Sequence, residues 1–411
     1  MKYPFIRTAV AAAVLSAVSA STYADMSVEE RLKAMENRLN VLETENQQLK
    51  GKLKATEQKV DATSDQVEKV ANAAPNSKAS WAENTRIGAY GEIHYNRLED
   101  KRTPGGTNDK DEIDFHRFVL FLGHDFSPKT RFFSELEVEH TVTEQGAPGA
   151  VELEQAYIEH DINDKLTARG GLFLVPVGIL NETHEPTTFY GTERNPVETN
   201  IIPVTWWEGG LGLTARLGNG FTLDGAIHSG LKTSLANNYA VRKGRLQVAE
   251  ALAKDPAYTA RLKWTGVPGL EIAATLQYQA NVAQGTDPNV GGAWLGETHA
   301  VFSRGPFTLK ALYAQWNLEG AGPAAVGANK QKGWYVEPSF KVNEQLGLFA
   351  RYNRWDNRAG DSLDSQYSQW DLGVNYWLHP NVVVKLDYQN QSAPIAEAEF
   401  DGFNIGLGYQ F

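Results

Sequence analysis

The chain closes on FNIGLGYQF (403–411), in which Phe403, Ile405, Leu407, Tyr409 and Phe411 alternate with Asn404, Gly406, Gly408 and Gln410. A period of two is the side-chain period of a β-strand, so the segment predicts one apolar face and one small or polar face. Two settings fit such a strand. One is a soluble sandwich with the apolar face on a core; the other is a barrel wall with lipid outside and water inside.

The segments upstream decide between them. RIGAYGEIHYN (86–96), LEIAATLQY (270–278), WDLGVNYWL (370–378) and VVKLDYQ (383–389) show the same alternation. Very short connections fall at 127–130, 163–165, 218–220, 266–269, 304–306, 343–345 and 379–381. Longer polar ones fall near 98–112, 141–150, 179–205, 232–256, 280–292, 317–331, 357–366 and 391–396. Short and long alternate throughout, which predicts sixteen strands with both barrel ends on the short-turn side. A sandwich has no reason to sort its loops by length onto two ends, whereas a barrel of the bacterial outer membrane does. The closing aromatics then belong to the periplasmic girdle, and the last strand must pair with the first, because an open edge in hydrocarbon leaves backbone groups unsatisfied.

The N-terminal quarter follows a different period. Lys2 and Arg7, the apolar run 9–18 and the small-residue site at 22–24 predict an export signal over 1–24. Leu32, Leu39, Asn46, Leu53, Val60 and Val67 then alternate in heptads with Val28, Met35, Leu42, Leu49, Thr56, Thr63 and Val70. That pattern predicts a periplasmic coiled coil over 25–72, a linker over 73–84 and the barrel over 85–411. A coiled coil there predicts a homo-oligomer, with peptidoglycan as an open second partner.

Composition excludes several classes. With no Cys, the chain has no disulfide scaffold, thiolate metal site or Cys nucleophile. Its net charge of −11 argues against nucleic acid as a partner. Residues 1–84 carry 11 basic and 11 acidic side chains, so the acidic surplus lies wholly in the barrel. The expected partners are outer-membrane lipid and small hydrophilic solutes or anions, with no cofactor and no metal.

Sixteen strands enclose water, so the inward faces set function. The alternation turns Arg117, Arg169, Arg216, Arg261, Lys263, Lys310, Arg351 and Lys385 inward, with Glu135, Glu137 and Glu139 as an acidic stripe. Such opposed walls either align charged solutes or neutralise one another as ion pairs. GILNETHEPTTFYGTERNPVETNIIPVTWWEGG (178–210) is too long for an ordinary loop and too apolar for solvent. It predicts an infolded loop whose Glu182, His184, Glu185, Glu193, Arg194 and Glu198 border a constriction. VRKGRLQVAEALAKD (241–255) predicts a short helix, its Arg242, Lys243 and Arg245 forming either a basic entrance funnel or a solvated face.

Gly171, Phe173, Pro176 and Gly178, followed by Phe189, Glu193 and Arg194, resemble the strand-loop signature of the phosphate-selective porin O/P family. The resemblance is loose over 85–411 and sharp over 150–217. It implies a trimer of sixteen-stranded barrels, each with its own pore narrowed by the third outer loop. Phosphate-selective members concentrate Arg and Lys along the pore; the acidic surplus here leaves phosphate and organic acids both open as solutes. Two other readings are an envelope tether anchored by a barrel and an outer-membrane hydrolase. The latter lacks any GxSxG or HExxH motif, and a lone His184 between carboxylates is a weak catalytic signal.

Overall fold

The computed structural model describes residues 81–144 and 146–411, together with Glu29, Lys33, Leu39, Asn40, Glu43 and Gln47, which are helical. The signal segment, the coiled-coil seam and residues 73–80 of the linker otherwise lie outside the described residues.

The strands are β1 (Thr85–Asp100), β2 (Lys110–Ser127), β3 (Thr130–Glu139), β4 (Val151–Asn163), β5 (Leu166–Leu174), β6 (Trp207–Gly218), β7 (Phe221–His228) and β8 (Ala257–Val267). They continue as β9 (Leu270–Gln279), β10 (Ala293–Arg304), β11 (Phe307–Leu318), β12 (Lys330–Lys341), β13 (Leu346–Asp356), β14 (Tyr367–His379), β15 (Val382–Ser392) and β16 (Phe400–Gln410). Each pairs antiparallel with its sequence neighbours, and β1 pairs with β16 to close the barrel. The closing register sets Glu92 against Gly408 and Asn96 against Asn404, and Ala89 and Phe411 exchange both backbone hydrogen bonds. The sixteen strands and the alternation of short and long connections match the sequence expectation.

The faces sort as the period of two requires. Outward positions expose Leu211, Leu276, Leu372, Ile405 and Leu407. Aromatics gather at both rims of this apolar band. Phe126, Phe221, Phe307, Phe340 and Phe411 are exposed near the short turns, and Tyr258, Trp294, Tyr313, Trp370, Tyr388 and Phe403 toward the long loops. Neighbouring rings pack across strands there, Tyr278 on Trp294 at 4.4 Å and Tyr352 on Trp370 at 4.8 Å. This is the girdle arrangement of a barrel whose outer surface meets lipid.

The buried apolar cluster lies inside the barrel, because loops fold into it. The third long loop, residues 175–206, contains the one-turn helix α1 (Val197–Asn200). It buries Val175, Leu180, Ile201, Ile202 and Trp206 against Leu295, Leu312 and Trp316 of the wall. Leu231, Tyr239 and Val241 of the fourth long loop and Val282 of the fifth join the same cluster. Burying a large aliphatic side chain stabilises by about 1.5–3 kcal/mol, which offsets the entropy of ordering so long a loop. Over 241–255 the expected helix shrinks to a 3-10 turn, Val241–Gly244, because Val241 is drawn into this cluster and Arg242 and Arg245 into the lumen.

Candidate functional site: the lumen beside the third loop

Register places all eight sequence-predicted strand cations on the inward face, and most meet a carboxylate directly across the ladder. Arg117 Nε donates to Glu92 Oε1 at 2.7 Å, and Arg261 Nη2 to Asp224 Oδ2 at 2.8 Å. Arg351 reaches Asp371 at 3.0 Å and Glu337 at 3.1 Å, and Arg169 lies 3.3 Å from Glu159. Lys310 lies 3.9 Å from Glu337. Lys385 is buried with its ammonium 3.6 Å over the Phe189 ring. Arg216 is exposed and donates to Thr167, while Lys263 stands half-buried opposite Thr222. Cross-strand pairing of this kind holds most of these charges in the wall.

The third loop is pinned to the inward face by polar contacts as well as by packing. Trp316 donates to the Ile201 carbonyl at 2.9 Å, Asn375 to that of Phe189 at 3.0 Å, and Arg117 to that of His184 at 2.8 Å. The Thr192 amide donates to Asp387 at 2.7 Å. These partners sit on β2, β11, β14 and β15, so opposite sides of the barrel hold one loop.

The loop's own site candidates divide. Glu182 pairs with Arg261, and Glu193 accepts from His94 and Asn96 at 3.0 Å. Glu185 is half-buried. Glu198, expected at the constriction border, is instead fully buried beneath the loop. It accepts the Ile179 and Leu180 amides at 2.8 and 2.7 Å and the Tyr335 hydroxyl at 2.7 Å. With the Asn195 side-chain amide at 3.3 Å these make four donors that can only be met from within, and that withdraws it from the lumen. His184 is buried too, and burial with the Arg194 and Arg117 charges holds its imidazole down at about 3, hence neutral.

Arg194 is where the loop meets open space. It lines a cavity of about 310 Å³ together with Arg242 and Arg245 of the fourth long loop, which runs over 229–256. Facing them are Glu137 and Glu139 of β3 and Glu152 and Glu154 of β4. The guanidiniums are held by neutral groups: Arg194 donates to the Thr205 hydroxyl at 2.8 Å, Arg242 to the Val204 carbonyl at 2.7 Å, and Arg245 to the Thr205 carbonyl. Among the described residues none of the three forms an ion pair with a carboxylate, and Nε of Arg194 and Arg245 has no hydrogen-bond partner. Burial and the neighbouring Arg245 and Arg194 charges push Arg242 down to about 9, and burial lowers Arg245 as well.

The sequence places Arg194 at the constriction and leaves Arg242 and Arg245 open between funnel and solvated face; that the three meet in one wall depends on the paths of both loops. Glu152 and Glu154, two residues apart in β4, carry the same alternation as 135–139, and that signal was available.

The fold and lumen define a closed sixteen-stranded antiparallel barrel of the porin type. Residues 205–394 match the family model described as Gram-negative porin. That match, with the barrel, supports a porin family and indicates an outer-membrane protein. An uncharacterized protein of Aquifex aeolicus (strain VF5) is 28% identical over 344 residues, covering 74% of each chain. Among solved structures, the anion-selective porin from Comamonas acidovorans aligns with a TM-score of 0.56 at 13% identity, covering 80% of this chain and all of its own. The outer membrane channel DcaP of Acinetobacter baumannii aligns at 0.54 and 15% identity, covering 80% and 97%. At such identities these structures speak for the fold alone.

Proposed function

We propose that the protein is a water-filled channel for passive diffusion of small hydrophilic solutes, narrowed by its third loop and favouring organic anions. One observation carries the reading: three guanidiniums from two infolded loops face four glutamates across a lumenal cavity, without carboxylate partners of their own. A guanidinium fork matches a carboxylate or phosphate oxygen pair. A solute with an anionic group at one end and hydroxyl or ammonium groups at the other would align between the walls. Charged rings in a pore select by sign in this way. The acidic wall favours an organic acid with an ammonium or extended hydroxyl end over phosphate, a compact ion whose net charge is wholly negative. The neighbour from Comamonas acidovorans is itself described as anion-selective. The heptad pattern of 25–72 and the O/P-type signature support a trimer with one pore per chain.

The test is reconstitution of the full chain in planar bilayers, with the reversal potential measured in a potassium chloride gradient and again with added phosphate or a polyhydroxy monocarboxylate. Anion preference with concentration-dependent block by the polyhydroxy monocarboxylate supports the reading. Cation preference would overturn the anion assignment, and absence of conductance would overturn the channel.

A further inference from the structure

Where the acidic wall meets the third loop lies a second cluster, which shares Glu154 with that wall. Glu135 of β3, Glu154 of β4 and His184 of the third loop are all at least nine-tenths buried. One ligand-type atom from each lies within 4.8 Å of the others. His184 Nδ1 is 3.1 Å from the Asn181 carbonyl, which can only accept, so Nδ1 carries the proton and Nε2 presents a lone pair. Nε2 lies 3.6 Å from Glu154 Oε2, and neither atom has a hydrogen-bond partner among the described residues. Two buried acceptors facing each other are costly unless something positive lies between them. Glu135 adds a third acceptor; its other contact is a hydrogen bond from Gln155 at 2.6 Å. No Lys or Arg among the described residues forms an ion pair with Glu135 or Glu154.

We propose that Glu135, Glu154 and His184 bind one divalent cation of zinc size, tying the third loop to the wall. The 3.6 Å between His184 Nε2 and Glu154 Oε2 favours an ion over a hydrogen bond, with Glu135 within 4.8 Å to close on it. Hydrogen bonds run at about 2.7–3.2 Å, whereas bonds of about 2.0–2.2 Å to a tetrahedral zinc set neighbouring ligand atoms about 3.3–3.6 Å apart. The imidazole is already fixed in its ligating tautomer by a backbone carbonyl, as outer-shell partners of metal-bound histidines do. One nitrogen and two carboxylates suit zinc or a similar first-row ion better than calcium, which takes six to eight oxygens at about 2.3–2.6 Å. Two carboxylates neutralise a dication, and Glu154 also lines the 310 Å³ cavity, which gives the ion a way in. The inference stands apart from conduction, because its readout is binding.

The test uses the full chain in detergent, stripped with a chelator and titrated with Zn2+ alone, then with Co2+ for its visible spectrum. One ion per chain is expected. His184→Gln and Glu154→Gln should weaken binding by more than the roughly 10- to 100-fold typical of outer-shell changes, while heat-modifiable migration shows the barrel still closed. His140→Gln should leave it unchanged, since His140 belongs to a separate group with Asp114 and His116. Should the His184 variant fail to fold, X-ray absorption of the zinc-loaded wild-type chain decides: one imidazole in the shell supports the site, and two overturn it. Absence of stoichiometric binding, or binding lost in the His140 variant and kept in the His184 variant, also overturns it.

Discussion

Glu198 and Tyr335, 137 residues apart in sequence, meet at 2.7 Å inside the barrel, the β12 hydroxyl donating to the loop carboxylate. The same carboxylate receives the Ile179 and Leu180 amides, so one side chain closes the loop on itself and fastens it to the wall. With Asn195 Nδ2 at 3.3 Å as the fourth, Glu198→Ala strips four buried donors of an acceptor, at about 1–3 kcal/mol each. The expected outcome is a loop released from the lumen: faster proteolysis between 175 and 206 and a larger single-channel conductance. Glu198→Gln should be far milder, because its amide oxygen can keep both backbone donors and its NH2 can donate to the Tyr335 oxygen. Equal effects from both variants would show that Glu198 does not hold the loop through these bonds.

Charge reversal across the cavity separates the two walls. Replacing Arg242 or Arg245 by Ala removes a guanidinium that holds loop carbonyls but pairs with no carboxylate, so the loss of stability should stay at about 1–3 kcal/mol. A unit charge acts with about 1 kcal/mol at 4 Å in water, so each removal should lower the anion-to-cation permeability ratio by up to about fivefold. Arg117→Ala offers the contrast. Its guanidinium is spent on Glu92, and its loss leaves that buried carboxylate with only the His94 imidazole, at up to about 3–5 kcal/mol. The reversal potential should therefore move for Arg242 and Arg245, and the unfolding midpoint for Arg117. Glu137→Gln should shift selectivity in the opposite direction to the arginine variants.

The outer surface was legible in the sequence because lipid asks one thing of it. Leu372, Ile405 and Leu407 need only be apolar at every second position, and that leaves a period to read. The inner surface shares that period, but what each inward residue meets depends on which loop folds over it. Arg261 could be placed inward from alternation, yet its pairing with Glu182 required the path of the third loop. Glu198 carried the same charge as Glu193 within the same loop, and only the packing sent one under the loop and the other toward His94. Apolar content did announce that the loop is buried, through Ile201, Ile202 and Trp206.

The glycines of the closing strand show the same limit. Gly406 and Gly408 read as small inward residues, but their smallness serves a particular neighbour. A Cβ at Gly408 would meet the Pro186 side chain at 2.5 Å, and one at Gly406 would meet Thr192 at 3.0 Å. Gly408→Ala should therefore push the loop off β16 and cost about 1–3 kcal/mol as overpacking does. Gly225→Ala on β7 meets nothing within 4 Å and should leave unfolding and conductance unchanged. Midpoints of guanidinium unfolding for the two variants, side by side, check this.

Depth in the membrane can be tested on a single strand. Leu372 stands near the middle of β14 and Leu378 one residue from its short-turn end, both outward and exposed. An Arg on the lipid face costs about 2–4 kcal/mol at the midplane and about 0–1 near the interface, where the side chain can reach water. Leu372→Arg should accordingly lower barrel stability in lipid vesicles by several-fold more than Leu378→Arg. In detergent micelles, which adapt around a charge, the difference should narrow. Equal penalties in vesicles would mean that the apolar band is not centred on Leu372, and that the girdles flanking it do not mark the edges of the bilayer.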